Sequence, residues 1–144
     1  MKYVVGHSVR EYFMNRYAGV NPANGDALWY TADGELTTEF REEDKVMTGK
    51  SFDSPWVGGF GTSLMWKGLS LSAQFSWMAK RYVMNNDRFF EESNGLYSAY
   101  NQSKRLLYDR WKKPGDITDI PRYGVTAQLD DRFLENLSLI HISE

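Results

Sequence analysis

Gly58-Gly59-Phe60-Gly61-Thr62-Ser63-Leu64-Met65-Trp66-Lys67-Gly68-Leu69-Ser70-Leu71-Ser72-Ala73-Gln74-Phe75-Ser76-Trp77-Met78 is the stretch on which the fold turns. From Leu69 onward apolar and polar residues alternate almost without fault, the period of a strand with one apolar face. Lys67-Gly68 is a two-residue turn signal in which glycine supplies a positive φ. Folding the stretch there predicts Trp66 opposite Leu69, Leu64 opposite Leu71, Thr62 opposite Ala73 and Phe60 opposite Phe75, all on one face. Ser63 with Ser72 and Gly61 with Gln74 fall on the other, so two arms read separately agree on one register. Gly58-Gly59-Phe60-Gly61 superficially suggests a phosphate cradle. No lysine-serine pair or helix follows it, and glycines in a strand admit close packing instead.

Each arm is about ten residues long, the span of a tilted outer-membrane strand, and the connection is as short as a periplasmic turn. A soluble sandwich hairpin with one buried face gives the same alternation, so the pattern alone leaves both open. Trp66 and Trp77, near the two ends of the hairpin, suit the aromatic girdles of a bilayer's interfaces.

Composition bounds the rest. The chain has 144 residues, 42% hydrophobic and 25% charged, which excludes a disordered or collagen-like polymer and allows one compact domain. A net charge of -2 without a basic stripe argues against nucleic acid as a partner. The absence of cysteine removes thiol catalysis, disulfides and Cys-ligated metal sites, and leaves the compartment open. Five Trp, nine Tyr and eight Phe make 15% of a chain whose mean hydropathy is -0.55, a combination that points to β structure. No apolar run approaches the roughly 18 residues of a membrane-spanning helix, whereas a transmembrane strand is not excluded. Residues 1–7 are too polar for a signal peptide, which leaves Met1 open as an internal residue of a longer protein.

Before the hairpin the chain reads as extended and interrupted. Val4 to Tyr17 is rich in Val, Tyr and Phe, and the Gly19-to-Asp26 turn cluster precedes the strand-like Ala27-Leu28-Trp29-Tyr30-Thr31, predicting a hairpin with a wide loop. Asp33-Gly34 marks a further turn, and the acidic run from Glu39 to Asp44 reads as a solvated loop. After Met84, Asn85-Asn86-Asp87 breaks the strand. Leu96, Ala99, Tyr100, Ser103, Leu107 and Trp111 then fall at helical spacing, with Lys112-Lys113 and Pro114-Gly115 as the stop, predicting a short helix over about 97–111.

No constellation of reactive groups rises to a catalytic site, so no enzyme reading, cofactor or metal is assigned. His7 has no local partner in sequence terms. Asp116 and Asp119 flank Pro114-Gly115 and Pro121, where polar loop residues are expected. Asn24, Asp26 and Asp33 match no regular calcium loop. The aromatic faces outside the hairpin suit stacking on sugar rings or anchoring of peptide side chains, giving Trp29, Tyr30, Trp56, Tyr97, Tyr100 and Trp111 as candidate substrate-binding residues. Leu137-Ser138-Leu139-Ile140-His141-Ile142-Ser143-Glu144 matches the in-frame translation of a transposon end used in sequencing libraries, and residues 137–144 are set aside from fold reasoning as a fusion scar.

The order of motifs carries a resemblance. Tyr17-Ala18-Gly19-Val20-Asn21-Pro22 with Gly25-Asp26, Gly49-Lys50-Ser51, Pro55, the Gly58 strand, Trp66-Lys67-Gly68-Leu69-Ser70-Leu71, and Arg110-Trp111-Lys112-Lys113-Pro114-Gly115-Asp116 through Ile120-Pro121-Arg122 form an ordered series over most of residues 17–136. The series resembles the carboxyl-terminal barrel region of SusC/RagA-type TonB-dependent outer-membrane transporters. Asp131-Arg132-Phe133-Leu134-Glu135-Asn136 resembles the family's segment before its next strand, and Leu137 onward departs from the expected continuation. The resemblance implies an all-β, mainly antiparallel fragment of a transmembrane β-barrel of about 22 strands, with long extracellular loops and one short loop helix. It implies extended extracellular structure over 1–57, a membrane hairpin over 58–80, an extracellular loop over 81–121 and the start of the next strand region over 122–136. Phe60, Leu64, Trp66, Leu69, Leu71, Phe75 and Trp77 would then face lipid. The implied partners are a SusD-like lipoprotein, TonB through a plug that this sequence lacks, an oligosaccharide or peptide cargo, and outer-membrane lipid. A soluble or surface-bound β-module that binds glycans through its aromatics is the competing function class.

Overall fold

The computed structural model describes residues 3–97 and 99–143. The chain is mostly antiparallel β with few helices: strands β1 (Glu11–Met14), β2 (Arg16–Val20), β3 (Ala27–Tyr30), β4 (Leu36–Thr37), β5 (Val46–Ser51), β6 (Trp56–Trp66) and β7 (Leu69–Met84), helices α1 (Asn86–Glu91) and α2 (Arg105–Tyr108), and strand β8 (Leu134–Ser143). They form three sheets, β1-β5, β2-β3-β4 and β6-β7-β8, every pair antiparallel.

The β6-β7 hairpin has the register that the alternation predicts, from Trp66↔Leu69 through Leu64↔Leu71 to Phe60↔Phe75, and continues to Trp56↔Ala79. Lys67 and Gly68 both adopt positive φ, 47° and 85°. This is the backbone of the hairpin turn whose twist matches that of the flanking strands. Next to Gly58 lies the indole of Trp77, its cross-strand partner, and a β-carbon at residue 58 would come within 2.7 Å of that ring. β7 outlasts its partner and carries a bulge. Met78 pairs with Leu139 and Arg81 with Leu137, so β7 spends one residue more than β8 between them. Lys80 takes the positive φ of 59°, and the Ala79 carbonyl accepts a hydrogen bond from Ser54 Oγ at 2.7 Å.

The core sits beside the hairpin, where β2 and β3 meet the chain entering β8. Trp29, Ala27, Met14, Ala127 and Phe133 are buried there, together with Asn15 and Asp130. Asn21 and Asp26 close the six-residue β2-β3 turn, with Asn21 N–H donating to the Asp26 carbonyl and Gly25 N–H to that of Asn21. Gly25 has φ +78°, and a β-carbon there would lie 2.4 Å from the Trp111 ring.

Three expectations are corrected and one is extended. The acidic run is not wholly solvated: Asp44 is buried and its Oδ1 accepts the Ala32 N–H, because a carboxylate satisfies a loop amide that no strand pairs. The helix expected over 97–111 exists only as α2. Asn94 and Gly95 both take positive φ, Ser93 Oγ accepts from Tyr97 N–H, and Gln102 Nε2 donates to the carbonyls of Tyr97 and Tyr100, so side chains claim the backbone groups that a helix would use. The strand breaker Asn85-Asn86-Asp87 does end β7, at Met84, and it also opens α1, since Asn85 Oδ1 accepts the Arg88 N–H as an N-cap. Finally, strand structure does not stop at Asn136. β8 runs through Leu137 to Ser143 along β7, whose long edge offers backbone partners to an extended apolar segment.

Candidate functional site

Two features stand out from the core: an exposed apolar face on the hairpin and a braced platform of loop structure at the far end of β7. On the face, Phe60, Leu64, Trp66, Leu69 and Leu71 are each between 61% and 70% exposed. Phe75 is half-buried and stacks on Phe60, ring centroids 4.6 Å apart and 14° from parallel, while Trp77 is 38% exposed. By the strand period Trp56 belongs to this same face, at the opposite end of β6 from Trp66, and is 58% exposed. The other face carries Gly59, Gly61, Ser63, Ser70, Ser72, Gln74 and Ser76, with Val57, Met65 and Met78 as its apolar members. Among the described residues β6 is hydrogen-bonded only to β7, so its outer edge is unpaired.

The platform is built by charge and aromatic contacts. Arg105 bonds Glu92 at 2.6 Å and grips Asp119 with both oxygens at 2.8 and 2.9 Å. Arg88 meets Glu92 at 3.1 Å and Asp119 at 3.5 Å, lies 3.8 Å from Glu135 on β8, and donates to the Arg132 carbonyl. These bonds raise the Arg105 guanidinium above its ordinary value, the Asp119 hydrogen bond contributing most. Burial is the largest influence on Asp119 and pushes its carboxyl up, but the bonds and charge of Arg105 and Arg88 outweigh it, leaving it below the usual carboxylate range. Phe89 joins Phe133 edge-to-face at 5.3 Å, and Phe90, Tyr97 and Tyr100 continue the aromatic chain outward.

A polar hub ties the platform's exit strand to the N-terminal sheets. Asp130 Oδ2 accepts Trp29 Nε1–H at 2.9 Å, and its Oδ1 accepts the Arg132 amide. Arg132 Nε lies 3.2 Å from that oxygen, an ion pair without hydrogen-bond alignment, and its guanidinium stacks over Tyr17 at 4.4 Å. Asp131 accepts the Tyr17 amide at 2.8 Å and pairs with Lys50 at 3.0 Å. Burial raises the Asp130 carboxyl to about 6 and the Tyr17 hydroxyl to about 12.

The candidate residues separate accordingly. Trp29 is 4% exposed, edge-on to Tyr17 and Phe40, and has no face for a ligand. Trp111 donates its indole N–H to the Pro22 carbonyl and packs on Gly25, a loop-packing role. Tyr30 lies under the Arg16 guanidinium, and Trp56 stands on the hairpin face rather than in a loop. Tyr97 and Tyr100 remain together on the platform, Tyr100 exposed. His7 does have a partner, Glu11 at 2.8 Å, at the surface. Asp116 caps a turn by accepting the amides of Lys112 and Lys113.

The chain is similar to chains of the RagAB peptide importer. In its open-open state the matched chain shares 34% identity and a TM-score of 0.81 over 90% of this chain and 14% of its own length. The RagAB peptide transporter matches at 34% identity and 0.80, covering 90% and 15%, and the closed-closed importer at 34% and 0.80, covering 92% and 15%. The chain thus spans about one seventh of the solved chains it matches. No protein-family model matches it, and no curated protein matches it significantly. Sequence reasoning found the hairpin face but missed Arg105, Glu92, Asp119 and Asp130; the i,i+4 spacings of Arg88 with Glu92 and of Arg105 with Asp109 were a signal for part of the network, whereas the Arg105–Glu92, Arg105–Asp119 and Trp29–Asp130 contacts are 13, 14 and 101 residues apart.

Proposed function

We propose that this chain is part of the barrel and extracellular loops of a SusC/RagA-type TonB-dependent outer-membrane transporter, importing peptides together with a SusD-like lipoprotein. The observation that carries the reading is the hairpin's apolar face. Large apolar side chains contribute roughly 1.5–3 kcal/mol each when removed from water, so leaving five of them solvated forfeits on the order of 10 kcal/mol, as much as a whole domain's stability. Lipid removes that deficit. At about 3.3 Å per residue, β6 extends roughly 36 Å, and a tilt near 45° brings this to the ~25 Å height of an outer-membrane apolar band. Trp66 then marks one interface, and Trp56 with Trp77 the other. The unpaired edge of β6 continues the barrel, and the serine-rich face turns to the lumen.

Peptide is favoured over oligosaccharide as cargo by the similarity to peptide importers, and the function is transport rather than catalysis. The loop structure of 81–121 belongs to the extracellular mouth and to contact with the lipoprotein lid; energy from TonB enters through a plug elsewhere in the parent. Deleting residues 85–115 from the full-length parent should abolish peptide uptake and lipoprotein co-purification while the barrel still inserts. Unchanged uptake and co-purification would remove this loop from the mechanism, and a parent that stays monodisperse without detergent would overturn the membrane reading.

A further inference from the structure

A cleft of about 510 Å³ opens beside α2, with Leu106 at its base, Leu107 and Tyr123 on its sides, and Asn94, Lys104 and Arg110 around it. Leu106 is buried, whereas Leu107 is 62% and Tyr123 71% exposed, so the cleft offers apolar surface to something that enters it. Its wall is fixed. Asn94 Nδ2 donates to the carbonyls of Arg122 and Val125 at 2.7 and 2.8 Å, holding the segment that carries Tyr123 against the α1 side.

The charges around the cleft do not balance. Arg105, one residue from Lys104, takes up the nearby acids: Glu92 and Asp119 bond it directly, and Asp109 lies 3.4 Å from it. Lys104 and Arg110 are left without a carboxylate partner among the described residues. The Arg110 guanidinium rests over the Tyr123 ring, 5.2 Å from its centroid, which orients it beside the apolar wall. Two uncompensated cations next to exposed leucine and tyrosine suit a ligand whose anionic and apolar groups lie within one residue of each other. A free anion would gain nothing from Leu106 and Leu107, and a neutral apolar chain nothing from Lys104 and Arg110.

We propose that this cleft binds the C-terminal end of a free peptide, with its last, apolar side chain against Leu106, Leu107 and Tyr123 and its carboxylate toward Lys104 and Arg110. The volume is in the range of small-ligand sites and admits one or two residues. The inference deepens the peptide-import reading and rests on it, by assigning the cargo end that this part of the mouth recognises.

The test is calorimetric titration of the detergent-solubilised full-length parent with acetyl-diglycyl-leucine, once as the free acid and once as the carboxamide. The acid should bind about tenfold more tightly than the amide, the difference made by hydrogen bonds to charged groups. Lys104→Gln combined with Arg110→Gln should erase that preference, Leu107→Ala should weaken both forms alike, and Lys45→Gln, a cation removed elsewhere on the surface, should change neither. Heat-shifted electrophoretic mobility checks that each variant is folded. Undetectable binding, equal binding of acid and amide, or the same loss with Lys45→Gln would overturn the proposal. Peptide uptake by cells carrying the unaltered parent separates the two readings: uptake without acid preference refutes the cleft and spares the importer, while absence of uptake refutes the importer.

Discussion

Trp29 and Asp130 are 101 positions apart in the chain and share a 2.9 Å hydrogen bond in the buried interior. The contact joins the β2-β3 sheet to the residues that lead into β8, and the Tyr17 amide on Asp131 and the Asp131 amide on the Asn15 carbonyl tie the same two parts of the chain beside it.

That carboxyl makes stability depend on pH. Burial raises Asp130 from its ordinary 3.8 to about 6, so the folded form holds its proton more tightly than the unfolded chain. Below about pH 4 the group is protonated in both states and its contribution is fully present; as pH rises through 6 about 3 kcal/mol is lost. Asp130→Asn, which still accepts from Trp29, should lack this loss. Thermal unfolding of the parent at pH 4 and pH 7 should show the unaltered protein falling by that amount relative to the variant, and a constant difference would refute it.

The two faces of β7 should respond differently to charge. On the proposed membrane placement, Phe75→Arg, opposite Phe60 near the middle of the hairpin, should cost roughly 2–4 kcal/mol, and Gln74→Arg on the opposite face much less. Folding of the full-length barrel into lipid vesicles measures both, and equal effects would reject the face assignment.

Gly25 is held by two constraints at once, a positive φ and the Trp111 ring. Gly25→Ala should destabilise the loop contact by about 2–4 kcal/mol, since strain and overpacking add. Trp111 fluorescence in a parent stripped of its other tryptophans should shift toward that of a solvated indole; an unchanged spectrum and melting temperature would count against the packing described.

Removing Arg105 leaves Glu92 buried beside Arg88 alone. Arg105→Gln should speed amide hydrogen exchange across 86–121 by about tenfold, the consequence of a buried carboxylate that loses one of its two cationic partners. Exchange in β6 should not change, and uniform acceleration would show that the network does not act locally.

Much of this was legible in the sequence where the physics is local. The Lys67-Gly68 turn and the alternation around it specify a register through partners from three residues apart, Trp66 and Leu69, to fifteen apart, Phe60 and Phe75, and the structure has that register. The platform was not legible, because Tyr97 and Tyr100 sit at helical spacing yet pack on Phe90, and their backbone groups are bound by Ser93 and Gln102. Trp29 was misread for a related reason: nothing near it in sequence announces Asp130 as its partner. Trp56 could have been placed by extending the even-numbered phase of β6 two residues back past Gly58.

The bulge at Lys80 acts as a change of parity. Counting in twos from Leu71 through Phe75 and Trp77, Arg81 would be next but one after Trp77 on the apolar face, a guanidinium at the end of a row of large apolar side chains. One surplus residue reverses the count. Arg81 then falls in step with Met78 instead, where its guanidinium lies 4.1 Å over the Phe52 ring, and Tyr82 inherits the place it vacates. A single inserted position thus lets one continuous strand be greasy along its shaft and cationic at its head, and a strand that kept Lys80 in regular pairing, without the bulge, would exchange the places of Arg81 and Tyr82.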